Sequence, residues 1–102
     1  RHLPVLHGGK LVGIVSQRDL YLIETLISGI KPEEVTIEEA MTSDVYTVSP
    51  EEPLGNVAVA MAESKMGCAI VVERGAVVGI FSVIDALIAL GDALRAVVDA
   101  QD

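Results

Sequence analysis

Two short segments carry the residue types best suited to holding a polar ligand. Each reads Gly, apolar residue, any residue, Ser, two residues, Asp: Gly13 to Asp19 and Gly79 to Asp85. Ser16 and Ser82 stand where a helix should begin, with Asp three residues on. This is a capping-box arrangement with Asp in place of the usual Glu or Gln. A hydroxyl at that place satisfies exposed helix N–H groups. The same N–H groups suit a phosphate. An acid in the first turn is favoured by the helix dipole alone. Spacing therefore leaves a structural and a ligand role open at all four residues.

Other polar candidates are fewer. Arg1 and His2 precede a Leu-Pro-Val run, Arg18 directly precedes Asp19, and Thr47 sits in a short apolar run between Tyr46 and Val48. Each has an ordinary structural reading: a solvated chain start, a surface charge on a helix, a strand threonine. Cys68 heads an apolar run and reads as a buried structural thiol rather than a nucleophile. His2 and His7 have no Cys or carboxylate at zinc-ligand spacing, so no metal site is expected. Glu33-Glu34, Glu38-Glu39 and Glu51-Glu52 read as solvated caps and linkers. The chain shows no P-loop and no nucleophile–base pair, so an enzyme is not expected.

The elements that position these residues form a repeat. Shifted by 66 residues, Leu3 to Leu20 lies over Ala69 to Ala86 without a gap, with seven identities in eighteen positions. Val5 meets Val71, Gly9 meets Gly75, Val12-Gly13-Ile14 meets Val78-Gly79-Ile80, Ser16 meets Ser82 and Asp19 meets Asp85. A shared hairpin accounts for the apolar matches but not for those of Gly, Ser and Asp. Each copy predicts a buried strand (Leu3 to Leu6; Cys68 to Val72) and a turn at Gly8-Gly9 or Arg74-Gly75. A second strand (Leu11 to Val15; Ala76 to Phe81) and a helix follow. The helices are expected over Gln17 to Ile27, stopped by Gly29, and over Val83 to Leu94, weakened or ended by Gly91.

Between the copies, Lys31 to Thr36 reads as a linker and Ile37 to Met41 as a short helical turn. Asp44 to Val48 reads as a strand closed by Ser49-Pro50. Pro53 opens a helix to about Lys65, with Leu54, Val57, Ala58, Met61 and Ala62 on its apolar face. Met41, Met61 and Met66 are expected in the core. The organisation is thus 1–29, second half of one unit; 30–36, linker; 37–102, a whole unit with a C-terminal helix. About thirty residues equivalent to 37–66 are expected upstream of Arg1.

Composition narrows the function. The chain has 102 residues, half of them apolar and three aromatic, so aliphatic residues build the core. Net charge is −8, which excludes a general nucleic-acid binder but not a site for one small anion. One cysteine excludes an internal disulfide and fits a reducing, cytoplasmic compartment. No signal peptide is visible. The most apolar stretch, Gly75 to Gly91, contains Asp85, which costs roughly 3 kcal/mol in a membrane-spanning helix. It reads as strand then helix.

The repeat resembles the cystathionine-β-synthase (CBS) domain, which occurs as a tandem pair called a Bateman module. The two Gly-to-Asp segments and the Met-Thr…Val-Tyr-Thr-Val-Ser-Pro run at Met41 to Pro50 carry the resemblance, which covers nearly the whole chain. It implies an α/β (α+β) fold of β-α-β-β-α units packed around a pseudo-twofold axis. It also implies clefts between the units that bind adenine nucleotides or related adenosyl ligands, and helix-mediated homodimers regulating an effector protein or domain.

Within that resemblance, Asp19 and Asp85 match the acid that accepts hydrogen bonds from both ribose hydroxyls. Ser16, Ser82, Arg18, Arg1 and His2 are phosphate candidates. Pro4, Val5, Ile14 and Val45 are placed at the base, and Thr47 becomes a partner of Asp19. Gly67 and Cys68 replace Arg1 and His2 in the second unit, so the Asp19 cleft is expected to suit phosphate better. The sequence thus points to a regulatory module for AMP, ADP or ATP, with a non-binding dimerisation scaffold as the rival.

Overall fold

The computed structural model describes residues 2–26 and 32–101. Arg1, residues 27–31 with the expected helix stop at Gly29, and Asp102 lie outside the described residues. Two antiparallel hairpins form the frame: β1 (His2–His7) with β2 (Lys10–Ser16), and β4 (Cys68–Glu73) with β5 (Ala76–Ser82). Their tight turns place both central residues at positive φ, Gly8 at 59° and Gly9 at 81°, Arg74 at 52° and Gly75 at 80°. That is the backbone a two-residue turn of the I′ type needs, and glycine adopts it at least cost.

The register repeats as the sequence does. His2 faces Ser16 in the first hairpin and Cys68 faces Ser82 in the second. Each hairpin shifts register at one place, between Val5 and Leu6 and between Val71 and Val72. These are equivalent positions at the 66-residue offset, so the bulge belongs to the repeated pattern.

A helix leaves each hairpin, α1 (Gln17–Leu26) and α4 (Val83–Gln101). α4 runs well past the expected end and continues through Gly91. One interior glycine costs a helix about 1 kcal/mol, too little to stop a run rich in Ala and Leu. Nineteen residues span about 28 Å. α4 is exposed from residue 91 to 100, and the molecule measures 60 × 33 × 21 Å along its principal axes. The radius of gyration is 17.0 Å, against roughly 13 Å for a compact chain of this length. Among the described residues, no helix is long and apolar enough to cross a membrane.

The connecting segment joins the hairpins. After a 3-10 turn (Pro32–Glu34) and the short α2 (Ile37–Ala40), Thr42 bridges to Ile14 through N–H···O contacts of 2.9 and 2.8 Å. The chain then crosses to the second hairpin, where β3 (Thr47–Val48) runs parallel to β4 and the Tyr46 carbonyl accepts from Ile70 N–H at 2.9 Å. β3 is shorter than the expected strand over Asp44 to Val48. Thr42, just ahead of that stretch, is bridged to Ile14 of the first hairpin, and the segment first hydrogen-bonds β4 at the Tyr46 carbonyl.

α3 (Leu54–Ser64) then packs Val57 and Met61 against Ala69, with Tyr46, Val48, Met66 and Phe81 around them. On the opposite face of β4, Ile70 packs with Cys68 and with Ile14 from the first hairpin. Burial on both faces explains why Cys68 to Val72 is apolar without alternation. Leu54 and Ala62, expected on the buried face of α3, are exposed. The architecture is the mixed α/β arrangement of repeated hairpin-and-helix units that the sequence implies.

Candidate functional site

Both Ser-x-x-Asp segments fold into reciprocal caps. Asp19 N–H donates to Ser16 Oγ (3.1 Å), and Ser16 N–H donates to Asp19 Oδ2 (3.0 Å). The second copy repeats the pair at 3.2 and 2.8 Å, and Ser82 Oγ also donates to Asp85 Oδ2 (3.0 Å). The cap holds each carboxylate through Oδ2 and fixes its direction. The hydrogen bonds of Asp19 are partly buried, whereas those of Asp85 are exposed.

Asp19 opens into a cavity of about 310 Å³ assembled from both hairpins. His2, Ile14 and Ser16 line it from the first unit. Thr42, Asp44, Val45 and Tyr46 come from the crossing segment, and Lys65 to Cys68 from the end of α3 and the start of β4. The apolar members suit a flat ring, and the carboxylate, hydroxyl and cationic groups suit a sugar and its substituents. Cys68 is buried here, and burial pushes its thiol pKa up. It contributes apolar wall rather than a thiolate.

His2 sits at the centre of this arrangement. A Cβ on Gly67 would lie 3.0 Å from His2 Nε2, so the bare glycine makes room for the ring. Nδ1 of His2 is buried without a hydrogen-bond partner. Leaving such a group unsatisfied costs about 1–3 kcal/mol. His2 also lines the second cavity, about 280 Å³, with Ile80, Ser82, Ile84 and Asp85. The Asp85 side therefore has an imidazole on its wall, which the replacement of Arg1 and His2 by Gly67 and Cys68 did not lead one to expect.

The cavity thus brings together Asp19, Ser16, His2, Ile14 and Val45. Asp85 and Ser82 line the other one. Arg18 lies elsewhere, beside Gln17, Tyr21 and Leu22, because one step along the helix from Asp19 turns its side chain by about 100°. Val5 lines a third cavity with Met41 and Ile37. Pro4 and Thr47 line neither Asp cavity. The crossing segment presents Thr42, Asp44 and Tyr46 in place of Thr47. Arg1 is outside the described residues. Among the described residues, no cluster of three metal-ligating side chains occurs.

Sequence reasoning missed Lys65, Thr42 and Asp44. Lys65 follows α3 with φ 55° and ψ 38°, the left-handed region, where its N–H caps the helix on the Ala62 and Met61 carbonyls. Glycine is the usual residue there, and a side chain costs about 1 kcal/mol. A lysine where glycine is easier was the available signal.

A carboxylate fixed by a helix cap, at a cavity between two repeated hairpin units, makes this a tandem-repeat module with a candidate small-molecule site. The CBS domain family matches residues 1–23 and 37–92, and the chain belongs to it. It is 36% identical over 81 residues to L-aspartate semialdehyde sulfurtransferase of Methanocaldococcus jannaschii, covering 78% of this chain and 15% of that protein. The chain thus spans a small part of that relative. A structure described as the acetoin utilization protein AcuB from Vibrio cholerae superposes with a TM-score of 0.79 at 35% identity, over 93% of this chain and 70% of that one. The CBS domain pair of protein MJ0100, solved with 5′-methylthioadenosine and S-adenosyl-L-methionine, gives 0.77 at 33% identity, over 90% and 71%.

Proposed function

We propose that this chain is a regulatory module that binds an adenosine-containing ligand, an adenine nucleotide such as AMP, ADP or ATP, in the Asp19 cavity. The observation that carries the reading is the placement of Asp19. Its cap engages Oδ2, and the carboxylate lines a cavity built from both units. A carboxylate in this setting accepts from two vicinal ribose hydroxyls. Ile14, Val45 and Tyr46 flank the base, and a ligand polar atom or its water satisfies His2 Nδ1. The binding of adenosyl ligands by a CBS pair 33% identical to this chain supports the reading.

The module acts by binding rather than turnover. A ligand that spans the cavity touches β2, the crossing segment and β4 together. It therefore favours the packing in which these are in register, and the difference in affinity between packings sets the regulatory effect. An effector protein or domain reads that packing. A reducing cytoplasm, where Cys68 stays a free thiol, is the compartment this reading assigns.

Thermal-shift titration with AMP, ADP, ATP, S-adenosyl-L-methionine and a GTP control tests the proposal. At a hundredfold excess over Kd, binding stabilises by about 2.7 kcal/mol, which is several degrees at this size. An adenylate shift that vanishes in Asp19→Ala is expected. Failure of every adenosine compound to shift the melting point overturns it.

The exposed face of α4 favours a second reading, a homodimerisation scaffold. Leu87, Leu90, Leu94, Val97 and Val98 are each more than half exposed along one long helix. An apolar surface of that extent marks an interaction site. Sedimentation at micromolar concentration separates the two readings. A ligand-indifferent dimer supports the scaffold and a monomer removes it.

A further inference from the structure

Lys65 occupies a backbone conformation that its side chain makes harder. Its φ of 55° and ψ of 38° end α3, and the cap is made by its backbone N–H, which glycine would supply equally well. The helix end therefore gives no reason for a side chain at this position. Lys65 is exposed; it lines the Asp19 cavity beside Met66, Gly67 and Cys68, and also an apolar cavity of about 450 Å³ with Ala58, Met61, Val83 and Ala86. Of the described residues lining the Asp19 cavity, Lys65 alone carries a permanent positive charge, in a chain of net charge −8. The other ionisable groups there are His2, Asp19, Asp44, Tyr46 and Cys68. Two carboxylates without Lys65 would repel an anion.

A residue held in a strained conformation at a ligand cavity points to a use for its side chain. We infer that Lys65 is a specificity-determining residue that selects adenosine ligands bearing an anionic 5′ group, a phosphate, over those whose 5′ substituent is neutral. The inference rests on the reading of this cavity as an adenosine site. The ammonium is a flexible point charge with three donors. It suits a terminal phosphate of varied position better than a single fixed geometry. It contributes nothing to base or ribose, which the apolar wall and Asp19 serve.

Isothermal titration with AMP and with 5′-methylthioadenosine, on the wild type and on Lys65→Gly, Lys65→Met and Lys65→Arg, tests it. AMP affinity should fall roughly tenfold or more in the Gly and Met variants and stay within about twofold in the Arg variant. Affinity for 5′-methylthioadenosine should not change in any of them. Lys65→Gly should at the same time melt a few degrees higher without ligand, because glycine relieves the left-handed backbone. A gain in stability with a loss of AMP binding is a combination that a purely structural lysine does not produce. AMP affinity that is independent of Lys65, or an equal loss for both ligands, overturns the inference while leaving the adenosine site standing. A wild type that binds neither compound overturns the adenosine reading, and this inference with it.

Discussion

Asp19 and Asp85 share a motif, a capping geometry and a hairpin register, yet they stand in different surroundings. Asp19 opens into a cavity walled by both hairpins, the crossing segment and the end of α3. Asp85 opens into a smaller one lined by its own hairpin and helix and by His2. The local cap is set by four consecutive residues, so equal sequence gives equal geometry. The cavity is set by what packs opposite, and the repeat does not specify that. A repeated motif thus duplicates a carboxylate's direction without duplicating a site.

The largest effect that tests this comparison is on ligand binding. Asp19→Ala should weaken AMP by roughly ten- to a hundredfold, the range for hydrogen bonds to a charged group. Asp85→Ala should change it by less than about threefold at the Asp19 cavity. Calorimetry on both variants decides, and equal losses would break the distinction.

The next effect is on stability. A Cβ on Gly13 would come within 2.5 Å of Met41 Sδ and 3.0 Å of the Thr42 carbonyl, whereas one on the equivalent Gly79 would meet Val71 at 3.8 Å. Gly13→Ala should therefore cost about 1–3 kcal/mol, and Gly79→Ala close to nothing from contact. Urea midpoints measure both. The Thr42 bridge lies against the first hairpin, so Gly13→Ala should also weaken ligand binding.

Ser16→Ala and Ser82→Ala should cost alike, about 1 kcal/mol each, since both hydroxyls accept from the same N–H three residues on. A clear inequality in their denaturation midpoints would show that surroundings reach into the cap itself. The smallest signal comes from Cys68, which stands where the first unit has His2. Burial raises its thiol pKa, so the reactive thiolate is scarce at neutral pH. Iodoacetamide labelling should be slow there and accelerate as pH rises. Saturating AMP should slow it further, because the thiol lines the Asp19 cavity. Labelling indifferent to AMP would place the ligand elsewhere.

Much of this was legible in the chain. The 66-residue offset predicted both hairpins, both turns and both caps, because each rests on contacts between residues close in sequence. The run from Cys68 to Val72 announced a strand buried on both faces. The errors have a common cause. The helix expected over Val83 to Leu94, with Gly91 weakening or ending it, runs to Gln101, because local propensity is weak and the neighbours of Gly91 outvote it. Asp44 to Val48 is expected as one strand, but the chain is still bridged to the other hairpin at Thr42, two residues earlier, and pairs with β4 as a strand only at Thr47 and Val48. Arg18, Val5 and Thr47 were grouped with Asp19 by proximity or family pattern. The structure lines other surfaces with Arg18 and Val5 and brings Thr42, Asp44 and Lys65 to the cavity instead.

The sequence by itself determined the family, the repeat and the direction of each carboxylate, since caps, turns and strand periodicity are short-range. Only the tertiary structure decided which carboxylate faces the cavity walled by the crossing segment and the end of α3, that His2 lines both Asp cavities, and that the cation at the Asp19 cavity is Lys65. Those facts depend on where a segment some thirty residues away crosses between hairpins. Nothing in local spacing encodes that path, because it is fixed by the packing of Ile14 against Cys68 and Ile70.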